Sequence, residues 1–222
     1  MAFEIQFPDP NEAEDDGLVA IGGNLSMEFL LSAYSQGIFP WFNEGEPLLW
    51  WSPDPRMVLF PKDFKCSNSL RQTLKSQKYT IRIDENFEDV IHSCAEIKRK
   101  GQSGTWITRD MIRAYSSLHK EGYAHCVETY CENRLVGGLY GVSLGKAFFG
   151  ESMFYKERDA SKIALFYLNE LMLSWDFHFI DAQQSTHHLR SLGAVDVPRE
   201  NFLNLLKKAL AYPSVNKKWS LM

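Results

Sequence analysis

The sequence predicts an α+β fold in which helices pack on a mixed, largely antiparallel sheet, and three observations lead there. Helices, an antiparallel meander, a long helix, a strand and a helix follow one another, without the strict alternation of strand and helix that a parallel sheet needs. The meander consists of "AHCVETYC", "RLVGGLYGV" and "KAFFGES", three strand-like runs joined by turn residues. The longest helical pattern, "ASKIALFYLNELMLSW", comes directly after it. With 222 residues, 45% of them hydrophobic, the chain can bury the core of one large domain or of two unequal ones.

Each element has a local reason. The opening reads as loop as far as "GLVAIGGNLS"; Ser26 is then the N-cap of a helix to about Gln36, with Gly37 as its stop. The stretch "GIFPWFNEGEPLLWWSPDPR" sets Trp41, Trp50 and Trp51 among prolines, a glycine and acids, which is the chemistry of a surface loop. "MVLFP" is a short apolar strand and "PKDFKC" a linker, so a division near residue 61 separates a small N-terminal domain, 1–61, from a larger one, 62–222. Asn68 or Ser67 starts a short helix, "YTIRID" alternates as a strand, and Asn86 with Asp89 opens a helix to about Arg99. "SGTWIT" is a loop into a helix from Arg109 to Lys120, closed by Gly122. Turns at Glu132-Asn133 and Leu144-Gly145 link the meander, and Asp159 caps the long helix, which is read as amphipathic. "FHFIDAQ" returns as a strand, "THHLRSLGA" is a short helix, and a last helix runs from about Arg199 to Ala211.

Composition narrows the function classes. No run of about 18 apolar residues exists, so no spanning helix is expected. The acidic start "MAFEIQFPDPNEAEDD" lacks the basic n-region of a signal peptide. Cys66, Cys94, Cys126 and Cys131 show no disulfide spacing and no CxxC pair; they are read as small buried hydrophobes in a reduced cytoplasm, with no metal. The net charge of −4 is unevenly spread: residues 1–46 carry nine acids and no Lys or Arg, leaving the rest at +5. Arg71, Lys75 and Lys78 lie in one basic stretch, and Lys98, Arg99 and Lys100 form a second cluster. Such runs are either a solvated face or the footprint of a polyanion.

Three groups of residues are suited to chemistry. Glu151 and Ser152 end a strand in "FFGESMF", but Phe154 stands where a serine-nucleophile elbow needs glycine. A carboxylate inside an aromatic strand must be paired or must face a cavity, which singles out Glu151. Asp181 and Gln183 share a face of the strand "FIDAQ", so Asp181 is expected to orient the Gln183 amide, which then holds an amine or a developing oxyanion. His187 and His188 follow on a short helix and are read as surface or capping residues. Trp41 and Trp106 are flat side chains in glycine-containing loops, fit to stack a nucleobase, whereas Trp50 and Trp51, beside "PLL", are expected to pack the two domains together.

Taken together, "GLVAIGGNLS", "AYSQGIFPWF", "LLWWSPDPR", "GTWIT", "AYSSLHKEGYAHCVE", "LVGGLYGV", "FFGESMF", "ASKIAL", "IDAQ" and "SLGA" resemble the bacterial leucyl/phenylalanyl-tRNA–protein transferases over about residues 7–202. Asn24, Cys126 and Tyr155 depart from the usual residues of that family. The resemblance implies transfer of Leu or Phe, and less well Met, from aminoacyl-tRNA to the N-terminal Arg or Lys of an acceptor protein, marking it for the N-degron pathway. It implies a small N-terminal domain and an N-acetyltransferase-like domain that does not use acetyl-CoA. By the same resemblance Trp41 and Trp106 grip the terminal adenosine, Leu139, Phe148 and Met153 form the aminoacyl pocket, and Glu151, Asp181 and Gln183 serve catalysis. Arg71, Lys75 and Lys78, with Lys98, Arg99 and Lys100, are expected to hold tRNA phosphates. An aminoacyl ester is already activated, so no metal or cofactor is called for. Two other classes stay open. An acyl-CoA N-acyltransferase would want a glycine-rich turn before "ASKIAL", where "FYKERD" stands; an RNA-binding module would need no Glu151, Asp181 or Gln183.

Overall fold

The computed structural model describes residues 5–97 and 105–220. Two sheets organise it. Strands β1 (Leu18–Ile21), β2 (Phe39–Pro40) and β3 (Leu49–Trp51) form a small antiparallel sheet in the order β1-β3-β2, beside helix α1 (Met27–Ser35). The Ser26 side chain caps α1 by accepting from the Phe29 N–H. Gly37 ends it at φ +78°, where a side chain is disfavoured and a Cβ would come within 2.6 Å of Leu203. Trp50 is fully buried, its indole N–H donates to the Gly22 carbonyl at 2.7 Å, and its ring meets Phe7 edge-on. Trp51 donates to the Trp41 carbonyl at 2.6 Å. These two rings brace the N-terminal unit and the loop that carries Trp41, and both belong to the apolar cluster that continues into the larger sheet.

The larger sheet has seven strands: β4 (Arg56–Leu59), β5 (Thr80–Ile83), β6 (Ala124–Cys131), β7 (Arg134–Leu144), β8 (Ala147–Tyr155), β9 (Phe179–Gln183) and β10 (Val195–Val197). Their order is β10-β4-β9-β8-β7-β6-β5, and every neighbouring pair is antiparallel except β8 with β9. The expected division near residue 61 falls just beyond β4, whose hydrogen bonds join this sheet; the chain passes from one sheet to the other in the Ser52–Pro55 turn. Glu132 and Asn133, both at positive φ, make the two-residue hairpin between β6 and β7. The next turn is Gly145-Lys146, one residue later than expected, because Leu144 still pairs with Ala147.

Alternation along the strands divides the core into two layers. Tyr140, Phe149 and Phe179 belong to one, which also takes in residues of α1, α3 (Phe87–Glu96), α4 (Arg109–Lys120) and α7 (Arg199–Leu210). Leu139, Phe148 and Ile180 point the other way, into a layer with α5 (Ala160–Ser174). Helix α5 is less amphipathic than its sequence suggests. Ser161 and Asn169 are buried along with its apolar residues, and the Asn169 amide donates to the Pro61 carbonyl at 3.1 Å.

Two expected caps are replaced. Asp159 precedes α5 at φ +62° without a capping bond, because its carboxylate is engaged by Thr73 and Lys162. At α3 the buried Glu128 accepts the N–H groups of Glu85 and Asn86, both at 2.8 Å, while the Asn86 amide turns to the Tyr130 hydroxyl. The remaining helices, α2 (Asn68–Lys75) and α6 (His187–Ser191), start at Ser67 and Thr186, whose hydroxyls accept from Leu70 and Leu189.

Candidate active site

The parallel strands β8 and β9 stay paired only from Ala147/Phe179 to Phe149/Asp181. Beyond that register β8 continues through Glu151 and Met153 while β9 ends at Gln183, whose φ of +61° turns the chain away. A cavity of about 430 Å³ opens between them. Its lining includes Trp41, Trp106, Leu139, Phe148, Glu151, Met153 and Gln183, so residues spread over more than 140 positions of sequence meet in one place. Trp41 is half-buried and lies 5.9 Å from Trp51, edge to face; Trp106 is 9% exposed.

At the polar end of the cavity the Glu151 carboxylate receives three donors. Tyr34 donates at 2.7 Å, the Gln183 Nε2 at 2.7 Å to the same oxygen, and Tyr115 at 2.9 Å to the other. The two phenol oxygens also meet each other. Burial pushes the Glu151 carboxyl up to about 7, against the pull of these three donors. Burial and the Glu151 charge push both phenols up as well, so they remain donors at neutral pH. An amide anchored by its NH2 on a carboxylate presents its carbonyl oxygen on the opposite side, as an acceptor for an incoming N–H.

The expected relay is built differently from its prediction. Asp181 is fully buried and is not among the residues lining the cavity. Its oxygens accept from Arg56 Nε at 2.8 Å and Nη2 at 2.7 Å, and Oδ1 also accepts the Gln183 backbone N–H at 2.9 Å. The Gln183 amide is oriented by Glu151, not by Asp181. The reason is the backbone: with Gln183 in the left-handed region, its side chain no longer shares the strand face of Asp181. Arg56 donates further to the Gly37 carbonyl at 3.1 Å and stacks on Phe39 and Phe202, tying the Phe39–Trp41 wall to the end of β9.

Tyr34, Tyr115 and Arg56 escaped the sequence reading. Both tyrosines sit inside helical patterns, where a core role is the default, and only the meeting of α1 with α4 brings their hydroxyls together. His188, expected at the surface, stands exposed at the cavity rim; partial desolvation by the rim and then Lys162 lower its imidazole. The basic residues lie elsewhere. Arg71 and Lys75 are exposed one turn apart on α2, and Lys78 pairs with Glu157 at 2.6 Å. Lys98, Arg99 and Lys100 lie outside the described residues. Among the described residues no three His, Cys, Asp or Glu side chains converge as a metal site.

Comparison with known proteins identifies the family. A family model described as leucyl/phenylalanyl-tRNA protein transferase matches residues 58–207, and one described as the N-terminal domain of that transferase matches residues 23–54. Proteins named leucyl/phenylalanyl-tRNA–protein transferase from Nitrosomonas europaea and Legionella pneumophila are 54% and 51% identical to this chain. The first match covers 96% of this chain and 91% of the relative, the second 97% and 96%. Among solved structures, a GCN5-related N-acetyltransferase from Kribbella flavida is similar at a TM-score of 0.39 and 9% identity, over 75% of this chain and 59% of that one. Matched by the family's own model over most of its length and about half identical to relatives almost end to end, the chain belongs to the leucyl/phenylalanyl-tRNA–protein transferase family.

Proposed function

We propose that this protein moves a leucyl or phenylalanyl group, and less well a methionyl group, from aminoacyl-tRNA to the N-terminal Arg or Lys of an acceptor protein. The new N-terminus marks the acceptor for the N-degron pathway, in the cytoplasm. The observation that carries the reading is the grouping of two indoles, an apolar slot and the Glu151–Gln183 pair around one cavity.

In this reading the terminal adenosine stacks on Trp41 and Trp106, and the aminoacyl side chain enters the slot of Leu139, Phe148 and Met153. The ester carbonyl then lies beside Gln183 and Glu151. The acceptor's α-amine must be held, relieved of a proton and joined to the carbonyl carbon. With a pKa of about 8, roughly a tenth of such amines are neutral at pH 7. Glu151, its carboxyl pushed up to about 7, is matched to accept the proton that the attacking nitrogen loses. The Gln183 carbonyl oxygen holds the amine in line. The C–O bond to the tRNA 3′-oxygen breaks as the tetrahedral intermediate collapses, and that oxygen leaves with the proton Glu151 had accepted, which restores the carboxylate. Arg56 and Asp181 act as positioning residues behind Gln183. Arg71 and Lys75, with Lys98 to Lys100, contact tRNA phosphates.

An acyl-CoA-dependent reaction is disfavoured by the start of α5. The turn before it contains no glycine, and Asp159, its carboxylate buried at 6% side-chain exposure and bonded to Thr73 and Lys162, puts a negative charge beside that helix start, where a pyrophosphate would be repelled. The test is direct: the protein is incubated with labelled Leu-tRNA and a peptide beginning with Arg. Label should appear in the peptide and not in one beginning with Asp. Label confined to the tRNA would refute the transferase reading.

A further inference from the structure

Among the described residues past α7 there is no further helix or strand, yet Trp219 is 1% exposed, as buried as the aromatics of the sheet itself. Several contacts fasten this tail. The Gly145 N–H donates to the Ser214 hydroxyl at 2.8 Å. Gly122 lies so close to Asn216 that a Cβ there would come within 2.7 Å of its backbone. The Trp219 backbone N–H donates to Asp84 Oδ2 at 2.8 Å, and the indole lies flat on His125, with ring centroids 3.6 Å apart and planes 6° apart. His125 is itself held by the same Asp84 oxygen at 2.7 Å, and the other oxygen takes the Cys126 N–H at 2.8 Å. One buried carboxylate thus holds both the Trp219 backbone and the imidazole on which its indole lies.

The other neighbours of Trp219 lead to the cavity. Its ring lies 5.9 Å from that of Phe148, a lining residue of the aminoacyl slot in the reading above, and packs edge-on with Trp175 and Phe177. Phe148 has little freedom elsewhere: a Cβ on Gly141 would come within 2.6 Å of its ring, so it already rests on the bare backbone of β7. A close-packed interior transmits such support, because a neighbour removed is not replaced without movement.

We propose that Trp219 is a specificity-determining positioning residue. By backing Phe148 it sets the depth of the aminoacyl slot, and with it the ratio in which phenylalanyl and leucyl groups are transferred. The inference rests on the transferase reading. Trimming Trp219 gives Phe148 room to retreat, which deepens the slot and favours the longer phenylalanyl side chain.

The experiment mixes Leu-tRNA and Phe-tRNA with one Arg-starting peptide and measures the ratio of the two products for wild type, Trp219→Leu and Trp219→Phe. That ratio reports relative kcat/KM and does not depend on how much enzyme is folded, so a merely structural role leaves it unmoved. The Phe-to-Leu ratio should rise about three-fold or more in Trp219→Leu, a smaller effect than the roughly ten-fold or more that a whole methylene of pocket fit supplies, and less in Trp219→Phe. If Trp219→Leu does not fold, Trp219→Phe is read alone. A ratio equal to that of wild type in every variant that folds overturns the proposal. Should wild type transfer neither group, the transferase reading fails first. Affinities of non-hydrolysable leucyl- and phenylalanyl-adenosine then decide whether Trp219 shapes the slot, and an unchanged ratio of those affinities overturns it.

Discussion

Arg56 and Asp181 face each other with no exposure to solvent, the guanidinium giving two hydrogen bonds to the two carboxylate oxygens at 2.8 and 2.7 Å. A buried pair of this kind adds little over an apolar substitute, but removing one partner strands the other charge. Arg56→Ala and Asp181→Ala should each lower stability by about 3–5 kcal/mol in urea titrations. Arg56→Lys should rescue little, because one ammonium cannot make the paired contact. Turnover of folded Asp181→Ala should fall about ten-fold or more, since Gln183 loses the acceptor of its backbone N–H. Wild-type turnover in folded Asp181→Ala would remove the positioning role.

Gln183 holds φ +61°, a conformation that costs a side-chain-bearing residue about 1–2 kcal/mol. Gln183→Ala and Gln183→Gly both delete the amide and should lose transfer alike. They should differ in stability, with glycine the more stable by about 1 kcal/mol because it adopts this backbone freely. Equal melting of the two variants would show that the turn relaxes.

For Glu151 the pH dependence has a definite sign. Its carboxyl ordinarily titrates near 4.5 and is pushed up to about 7 in the fold, so the folded chain keeps a proton that the unfolded chain has released between those values. Its contribution is therefore fully present below about pH 4.5 and declines as pH rises to about 7, by about 3 kcal/mol in all. Urea titrations from pH 5 to 8 should show this decline in wild type and not in Glu151→Gln. Transfer should run oppositely, rising through pH 7 as the carboxylate that accepts the proton forms.

Trp41 and Trp106 are predicted to stack the terminal adenosine. Alanine at either position should weaken a short aminoacyl-adenosine mimic by about 1–3 kcal/mol, with phenylalanine retaining part of the affinity. Calorimetry with the mimic decides it; normal binding by both alanine variants would make these rings structural.

Arg71 and Lys75 should matter to whole tRNA alone. Reversing both charges should lower the slope of log affinity against log salt by roughly 2, one counterion for each phosphate contact, and leave the short mimic unaffected. Lys78 should contribute less, being engaged by Glu157 at 2.6 Å. Equal losses for both ligands would mean that the patch supports the fold.

Most elements were legible because their signals are local. Ser26 and Gly37 bracket α1, Gly122 closes α4, and the Glu132-Asn133 turn sets the hairpin. What escaped depends on partners distant in sequence. Asp159 looked like a cap until Thr73 and Lys162 claimed its carboxylate. The strands β1, β2, β3 and β10 are two to four residues long, too short for alternation to register, and their pairing is with remote segments. At the site, Asp181 and Gln183 stand two apart in a strand, and period-two reasoning puts them on one face; a single left-handed residue at the strand end separates them. The three donors on Glu151 come from α1, α4 and β9, and no spacing in the chain announces such a meeting.

That meeting limits how the protein can be recombined. Tyr34 comes from the N-terminal unit, while Glu151, Tyr115 and Gln183 come from beyond it. A chimera that takes its first fifty residues from a distant relative must bring a hydroxyl to that one spot, or the carboxyl loses a donor and its proton affinity climbs further. Shuffling of the two segments is thus screened at this phenol, besides the indole of Trp41 that the same segment brings to the cavity.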